Sequence, residues 1–301
     1  MGSPVIRAVI PAAGLGTRLL PATKSIPKEM LPIVDKPVVQ LVIEEAVASG
    51  ITEVHLVTRR EKRAIEDHFS PDPELEASLR KMGREDLVER LHAVTGRCRV
   101  SYIRQEQPLG LGHAIQLARP HVGDEPFAVL LGDAIIAPFA HAPPGLRQLM
   151  DAHAQTQGSV VAVHRVPEDR VSRYGIVEGE ASSPDRPDLL RVRRLVEKPE
   201  PGRAPSDLAI AGRYILTPAI FECLAGITPG AAGEMQLTDA LDLLARKESL
   251  HALTWRARRY DIGDRADYVR CFIEFALRRP ETAETVRSLA QRLLGGSGAT
   301  E

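Results

Sequence analysis

An apolar run that leads directly into a glycine-rich loop is the feature of this sequence that most restricts its fold. Residues 5–12 are apolar and rich in β-branched side chains, as expected for a strand buried on both faces of a parallel sheet. Gly14 and Gly16 follow at once. Glycines after such a strand let backbone N–H groups come close to a phosphate. We therefore expect a phosphate site at the carboxyl end of the first strand.

Two common phosphate loops do not fit these glycines. The dinucleotide-binding fingerprint requires a third glycine three residues after Gly16, where this chain has Leu19. The P-loop requires four residues between its glycines and then Gly-Lys-Ser or Gly-Lys-Thr, a spacing that this loop lacks. Downstream, Arg18, Lys24 and Lys28 place three cations on one proline-stiffened loop. Such a loop suits a triphosphate, and a solvated basic turn is the alternative from spacing alone.

The order of the predicted elements indicates an α/β fold. In the first half, strands are predicted at 5–12, 53–58, 99–104 and 127–131, and helices at 37–50, 61–69 and 111–119. This alternation implies a doubly wound, mostly parallel, Rossmann-like central sheet flanked by helices. In the second half, strands are predicted at 159–165, 175–177, 190–196 and 208–216, and helices at 218–225, 238–247 and 266–279. That half is expected to form a smaller, mixed subdomain.

Composition excludes several classes of function. The net charge of −1 argues against a nucleic-acid partner, because binding a phosphate backbone needs a basic excess. The three cysteines are widely spaced without a Cys-x-x-Cys, so neither a disulfide framework nor a zinc site is expected. Neither a signal-peptide pattern nor an apolar run of membrane-spanning length is present in the sequence. A cytoplasmic location without a membrane partner is therefore expected.

The loop as a whole resembles a known signature. The string AAGLGTRLLPATKSIPKEMLPIVDKP, residues 12–37, resembles the signature loop of the sugar nucleotidyltransferases, in particular of members that use UTP. The resemblance covers about residues 6–280. It implies that the loop wraps a triphosphate, with Arg18 on the β- and γ-phosphates and Lys28 on the α-phosphate. The nucleotide-binding residues that it implies in this loop are Ala13, Gly14, Gly16, Thr17 and Glu29.

A second glycine-containing segment, residues 107–114 with the sequence QPLGLGHA, lies between a predicted strand and a predicted helix. The amide of Gln107 offers both a donor and an acceptor to a uracil ring. A turn that starts a helix is the alternative from the sequence alone. The resemblance implies that Gln107 and Gly112 contact the base. His113 receives no catalytic role, because a nucleophile that is already an anionic phosphate needs little help from a general base.

Two aspartates are candidate Mg²⁺ ligands. Asp133 follows the strand at 127–131, and the carboxyl end of a parallel strand points into the ligand crevice. Asp261 follows a short apolar stretch and precedes a predicted helix, and a helix N-cap is the alternative role for such aspartates. The resemblance implies that both bind Mg²⁺ and that Asp133 also lies near the ribose. Members that use UTP usually carry a second aspartate next, where this chain has Ala134.

The implied sugar site lies in the second half. Glu197 can accept hydrogen bonds from two adjacent hydroxyls, and Lys198 can meet a phosphate. Successive side chains of a strand point to opposite faces, so both face one ligand only if the chain bends there, which Pro199 favours. A solvated ion pair is the alternative. The resemblance implies that Gly175, Glu197, Lys198 and Ile210 line the sugar site, with Lys198 on the sugar phosphate.

One domain is predicted over residues 1–290. Its parts are a nucleotide-binding half at about 5–135, a sugar-binding half at about 136–265 and C-terminal helices at about 266–290. Charged residues 70–96 are interpreted as an insertion with one or two surface helices, and 236–239 as a helix cap. Residues 291–301 are predicted to form a disordered tail.

Taken together, the implied roles predict a Mg²⁺-dependent transfer of a uridylyl group from UTP to glucose 1-phosphate. The products are UDP-glucose and pyrophosphate, formed by in-line attack on the α-phosphorus. The cations Arg18, Lys28 and Lys198 are the predicted catalytic residues. The resemblance also suggests a homodimer or homotetramer, with the helix at 271–277 as one candidate contact. A helix that packs on its own domain is the alternative for that segment.

Three alternatives share part of this pattern. A thymidylyltransferase or another sugar-1-phosphate nucleotidyltransferase has nearly the same motifs. Comparing the turnover of UTP with that of dTTP distinguishes such an enzyme from a uridylyltransferase. A catalytically weak regulatory paralogue would bind sugar nucleotides without releasing pyrophosphate. A glycosyltransferase with a related nucleotide fold usually holds its metal through Asp-x-Asp, which Asp133-Ala134-Ile135 lacks.

Overall fold

The computed structural model describes residues 4–200, 202–230 and 233–295. Within these ranges the strands are β1 (Arg7–Pro11), β2 (Pro32–Ile33), β3 (Lys36–Pro37), β4 (Glu53–Thr58), β5 (Arg99–Arg104), β6 (Phe127–Leu130), β7 (Ala134–Pro138), β8 (Ser159–Arg165), β9 (Gly175–Ser183), β10 (Arg186–Glu197), β11 (Leu208–Leu216), β12 (Leu250–Thr254) and β13 (Ala257–Asp261). The helices are α1 (Val38–Ala48), α2 (Arg63–Phe69), α3 (Pro73–Lys81), α4 (Glu85–Leu91), α5 (Leu111–Leu117), α6 (Arg119–Val122), α7 (Gly145–Thr156), α8 (Ile220–Gly226), α9 (Leu237–Lys247), α10 (Arg265–Leu277) and α11 (Pro280–Gly295).

Nine of the described strands form one sheet in the order β5-β4-β1-β6-β11-β8-β12-β10-β9. The first four pair in parallel, as the alternating pattern predicts. From β11 onward the sheet is mixed, because β11 runs antiparallel to both β6 and β8, while β8 and β12 are parallel. The prediction of an α/β fold with a central sheet and flanking helices is confirmed. The four adjacent parallel strands come from the first half of the chain, and the sheet as a whole is mixed.

The core lies on both faces of this sheet. Successive residues of β1 alternate between the two faces: Ala8 and Ile10 pack in one cluster with α1 and α7. Val9 packs in the other cluster, with α5, α8 and α9. Full burial on both faces explains why β1 is apolar throughout rather than alternating. Because β1 and β6 pair in parallel, their carboxyl ends lie at the same edge of the sheet, where the glycine loop begins.

A small antiparallel pair of strands lies outside the main sheet. In it β7 pairs with β13, and Ala134 lies opposite Asp261. The apolar side chains of this pair, with those of α1 and α10, form a separate buried cluster that includes Ile135, Tyr260 and Cys271. The pair brings residues that are more than a hundred positions apart in the sequence to one edge of the fold.

Several elements differ from the sequence-based expectations. The predicted strands at 175–177 and 190–196 are parts of a longer hairpin, β9 and β10. The predicted insertion carries the surface helices α3 and α4. Strands β7, β12 and β13 and helix α7 were not predicted. Of the predicted tail, residues 291–295 continue α11, whereas 296–301 lie outside the described residues. In the described part of the chain, each helix is too short or too polar to cross a membrane.

Candidate functional site

Two adjoining cavities lie at the carboxyl ends of the parallel strands. The first, which we call the glycine-loop cavity, has a volume of about 420 Å³. The predicted residues that line it are Ala13, Gly14, Gly16, Thr17, Lys28, Glu29 and Asp133. The second, the Tyr174 cavity, has a volume of about 650 Å³. The predicted residues that line it are Arg18, Asp133, Gly175, Glu197, Lys198, Ile210 and Asp261. Asp133 lies at the boundary, since it lines both cavities.

The cations of the glycine loop are paired with the two predicted metal ligands. The Lys28 ammonium donates to the Asp133 carboxylate, and Arg18 Nη1 lies 3.5 Å from Asp261 Oδ2. Burial alone would raise the pKa of the Asp133 carboxyl, but the Lys28 ammonium together with Arg259 and Arg18 outweighs it and lowers this pKa to about 2. Burial opposes the charge of Lys28, and the Asp133 and Glu29 carboxylates nevertheless raise the pKa of its ammonium. Both partners are therefore charged at neutral pH.

The backbone holds the two aspartates close together. The Ile262 N–H donates to the Asp133 carbonyl over 2.9 Å, next to the pairing of β7 with β13. Neither aspartate is a helix cap: Asp264 caps α10, accepting from the N–H groups of Ala266 and Asp267. The Asp261 carboxylate instead accepts from the Gly263 N–H over 2.9 Å. This arrangement argues against the N-cap alternative and leaves both carboxylates at the cavities.

The backbone conformation and the surroundings differ between the two glycines of the loop. Gly16 adopts a left-handed backbone with φ of 70°, and its carbonyl accepts from the Thr23 hydroxyl over 2.8 Å. Only glycine adopts this conformation at little cost. At Gly14 an added Cβ would lie 3.7 Å from Lys28 Nζ. The loop therefore folds back so that the Lys28 ammonium lies over the backbone at Gly14.

A buried ion pair between Lys62 and Glu29, which the sequence analysis did not predict, supports this loop. Lys62 Nζ donates to Glu29 Oε2 over 2.7 Å and to the Ala12 carbonyl over 2.6 Å. Glu29 is only 1% exposed, and burial raises the pKa of its carboxyl against the opposing effect of Lys62. A buried carboxylate requires such a partner, because an unpaired charge is costly in the interior. Lys62 thus fixes both Glu29 and the end of β1.

The Lys62→Met variant is expected to lose about 3 to 5 kcal/mol of unfolding free energy, because it leaves the Glu29 carboxylate buried without its partner. The loss should shrink as the pH falls, since Glu29 has a raised pKa and becomes neutral. Urea unfolding at several pH values measures it. The double variant Lys62→Met/Glu29→Gln should recover much of the loss. A single variant as stable as the parent at neutral pH would contradict this role.

Two residues that the resemblance implies at the base, Gln107 and Gly112, do not line the glycine-loop cavity. Gln107 is exposed and does not line the glycine-loop cavity, whereas Gln105, which is 4% exposed, does. The Gly112 N–H is already used, since it donates to the Met235 carbonyl over 2.8 Å. An added Cβ at Gly110 or Gly112 would lie 2.8 Å from that same carbonyl oxygen. Because these positions have no side chain, the segment around Met235 can pack against them. Gly110 lines the cavity, and Gly112 does not.

In the Tyr174 cavity the chain bends as the sequence required. Lys198 has a left-handed backbone with φ of 43°, which is uncommon for a residue with a side chain. Both Glu197 and Lys198 consequently line one cavity, with Lys198 Nζ 3.4 Å from Glu197 Oε1. The Thr238 hydroxyl donates to the other oxygen, Glu197 Oε2, over 2.6 Å. The segment that was interpreted as a helix cap does begin α9, with Gln236 at the N-cap position but without a side-chain cap hydrogen bond, and its Thr238 also orients Glu197.

Arg259 is a cavity residue that the sequence analysis missed. Its guanidinium lies 5.4 Å from the centre of the Tyr174 ring, and its Nε donates to the Ala211 carbonyl over 3.0 Å. It also lies 3.8 Å from the Asp261 carboxylate. Strand periodicity was the available signal, because residues 259 and 261 of one strand point to the same face. Ala134, by contrast, is fully buried and lines neither cavity.

Comparison with known proteins places this geometry in a family. The family model described as nucleotidyl transferase matches residues 7–276. The chain belongs to the nucleotidyl transferase family. This nucleotidyl transferase is 48% identical over 290 residues to the UTP–glucose-1-phosphate uridylyltransferase of Bacillus subtilis (strain 168), covering 96% of this chain and 97% of that protein. The family that the loop signature indicated is therefore confirmed.

Solved structures agree with this assignment. A UDP-glucose pyrophosphorylase complexed with UDP-glucose is similar to this nucleotidyl transferase with a TM-score of 0.83 and 39% identity, covering 91% of this chain and 100% of that chain. A UTP-bound UGPase from Acinetobacter baumannii gives a TM-score of 0.87 and 36% identity, covering 96% of this chain and 99% of that chain. The fold and the order of its elements are thus shared with proteins solved with these ligands.

Proposed function

We propose that this chain transfers a uridylyl group from UTP to glucose 1-phosphate, giving UDP-glucose and pyrophosphate. The observation that carries the proposal is the pair of adjoining cavities with Asp133 at their boundary and Lys28 paired to it. One cavity is bordered by the glycine loop and suits the nucleotide. The other is bordered by Glu197 and Lys198 and suits a sugar phosphate. The curated relative and the two ligand-bound structures support this choice of substrates.

Charge repulsion between two anionic reactants is the main obstacle to this reaction. In the proposed arrangement Lys28 holds the α-phosphate and Lys198 the phosphate of the sugar. Arg18, which lines the Tyr174 cavity beside Asp261, holds the β- and γ-phosphates where they extend past the boundary between the cavities. Fixed cations in a partly buried cleft stabilise the negative charge on the oxygens around the transferring phosphorus and need no reorganisation. The attacking oxygen of glucose 1-phosphate forms the new bond to the α-phosphorus as the bond to pyrophosphate breaks.

The donor set at the boundary fits Mg²⁺. This ion takes one or two carboxylates and completes its shell with waters and substrate phosphate oxygens. Asp133 and Asp261, whose backbones are linked through Ile262, would hold it. The described residues contain no group of three or more histidine, cysteine, aspartate or glutamate side chains that could hold a metal ion. The bound ion would neutralise phosphate charge, and we propose that it is Mg²⁺. We also propose a cytoplasmic location.

Product identification tests the proposal directly. The purified chain is incubated with Mg²⁺ and each pair from UTP, dTTP, ATP, CTP and GTP with glucose 1-phosphate, galactose 1-phosphate and N-acetylglucosamine 1-phosphate. Mass spectrometry should show UDP-glucose as the main product, with one pyrophosphate released per transfer. A preference for dTTP would indicate a thymidylyltransferase. Binding of UDP-glucose without pyrophosphate release would indicate a regulatory paralogue.

The Glu197→Gln variant is expected to raise the KM for glucose 1-phosphate by about 10-fold or more, because hydrogen bonds from sugar hydroxyls to a charged carboxylate are stronger than those to an amide. The KM for UTP should stay within about twofold of the parent value, since Glu197 lies in the other cavity. Steady-state kinetics with each substrate varied measures both constants. Glu180→Gln, a surface carboxylate on β9, is the matched control. Equal changes in both KM values would contradict the assignment.

A homodimer or homotetramer is also proposed. Cys271, at the start of the contact segment suggested by the sequence, is fully buried within its own chain. The exposed apolar side chains of α10 are instead Val269, Phe272 and Ile273. Contiguous exposed apolar surface of this kind is typical of a protein interface. Light scattering coupled to size exclusion measures the mass, and a monomer at micromolar concentration would exclude the assembly.

A further inference from the structure

A fully buried arginine lies directly behind the boundary between the two cavities. The Arg213 side chain is 0% exposed and its partner, Glu45, is 8% exposed. Two guanidinium nitrogens donate to Glu45 Oε2, over 2.8 and 3.1 Å. The remaining hydrogen bonds go to backbone carbonyls: Nη2 to Ala134 over 2.8 Å, and Nη1 to Leu131 over 3.3 Å and to Gly212 over 3.2 Å. Arg213 therefore holds the carbonyls on either side of the Gly132-Asp133 dipeptide.

The backbone of β11 is shaped to allow this contact. Gly212 has a left-handed φ of 86°, and the register between β11 and β8 shifts between Ile210 and Tyr214. Such bulges redirect a side chain out of the regular alternation. An added Cβ at Gly212 would lie 2.9 Å from Leu131 Cδ1, and the Leu131 N–H donates to the Gly212 carbonyl over 3.0 Å. Close approach of β11 to the turn at 131–134 thus requires glycine.

The other end of the ion pair is equally fixed. Glu45 lies on α1, and its second oxygen, Oε1, accepts from the Leu146 N–H in the first turn of α7 over 2.9 Å. The Glu45 carboxylate is consequently bonded through both oxygens. The pair connects two helices and one strand of the sheet to the turn that carries Asp133. A buried ion pair is a weak source of net stability, so a role in specifying geometry is the better account of it.

We propose that Arg213 and Glu45 are a positioning pair for the reaction. They hold the turn at 131–134 so that the Asp133 carboxylate stays at the cavity boundary beside Lys28. This inference rests on the proposed function and deepens it, because it assigns a role to two residues that touch no substrate. The rest of the turn is also fixed by its backbone, since Gly132 donates to the Pro11 carbonyl over 3.3 Å. Arg213 adds the side-chain hydrogen bonds to the carbonyls of Leu131 and Ala134.

The test compares Arg213→Lys with the parent enzyme. Lysine keeps the charge but cannot reproduce a planar fork that reaches three carbonyls and a carboxylate. Titration calorimetry measures UTP binding with Mg²⁺ and with EDTA, in the absence of the sugar phosphate so that no turnover occurs. We expect the gain in UTP affinity that Mg²⁺ gives to fall about 10-fold, as for other groups that orient a metal ligand. The kcat should fall about 10- to 100-fold, with the KM for glucose 1-phosphate within about twofold.

Two further variants keep the test decisive. Arg7→Met removes a half-buried arginine at the opposite end of β1, and it should lower the unfolding midpoint without changing the Mg²⁺-dependent gain. Glu45→Gln should reduce that gain in UTP affinity, as Arg213→Lys does. If Arg213→Lys does not fold, Glu45→Gln is measured in its place. An unfolding midpoint that falls while the gain and kcat stay within twofold of the parent values would overturn the proposal. A parent enzyme that does not bind UTP would instead contradict the proposed function.

Discussion

The Lys28→Met variant is expected to lose about 10²- to 10³-fold in kcat, the usual cost of removing one fixed electrostatic group from a phosphoryl or acyl transfer site. Lys28 is the cation at the boundary of the cavities, paired with Asp133 and lying over Gly14. Its ammonium meets charge that increases in the transition state, so kcat should fall more than the affinity for UTP. Continuous measurement of pyrophosphate release, with calorimetric UTP binding, separates the two effects.

The control for this experiment is Lys36→Met. Lys36 is also a partly buried lysine paired with a carboxylate, at 2.8 Å from Glu44, but it lies on β3 away from both cavities. Its loss should leave kcat within about twofold of the parent value. If Lys28→Met retained a kcat within threefold of the parent while binding UTP more weakly, Lys28 would serve only ground-state binding, and the electrostatic part of the proposed mechanism would be wrong.

Replacing Asp133 by asparagine is expected to lower kcat by about 10²- to 10³-fold and to abolish most of the response to Mg²⁺, because a neutral amide oxygen replaces a charged ligand of a hard cation. Asp133 lines both cavities, whereas Asp261 lines only one. Asp261→Asn should therefore have the smaller effect on UTP binding. Kinetics and calorimetry over a range of Mg²⁺ concentrations measure the midpoint of the response.

The matched control is Asp207→Asn, which removes an exposed aspartate paired with Arg165 at 2.7 Å on the protein surface. It should leave the Mg²⁺ response unchanged, as surface ion pairs contribute little. The metal assignment fails if Asp133→Asn shows the parent's Mg²⁺ midpoint together with a reduced kcat. In that case Asp133 would act only by holding Lys28 in place.

The elements that could be predicted from the sequence are those whose ends are marked by a local residue pattern. Strands β4, β5, β8 and β11 match the predicted ranges, because β-branched and aromatic residues between charged or glycine-containing segments mark where a strand begins and ends. Strand β7 was missed because only three residues separate it from β6, too few for the crossover that the alternating strand–helix pattern assumes. The antiparallel pairing of β6 with β11 depends on contacts across some eighty residues, which periodicity does not encode.

The same limit applies to the site. Glycine-loop residues were predicted because they are neighbours in the sequence and their chemistry is evident together. Gln105 and Gln107 have the same side chain two positions apart, and only the packing at the end of β5 shows that Gln105 is the one that lines the cavity. The pairing of Lys62 with Glu29, and of Arg213 with Glu45, joins residues 33 and 168 positions apart. Such pairs follow from the tertiary fold.

The pairing of β6 with β11 also limits how this molecule can be divided or recombined. Residues 127–130 bond along their whole length to residues 213–216, so the two binding regions share one uninterrupted set of backbone hydrogen bonds. A gene fragment ending near residue 135 would encode a protein with a bare, apolar strand edge, which favours aggregation. Because β6 and β11 join the two halves of the chain, we expect that exchanging base and sugar preferences between relatives requires replacement of loops within an intact chain.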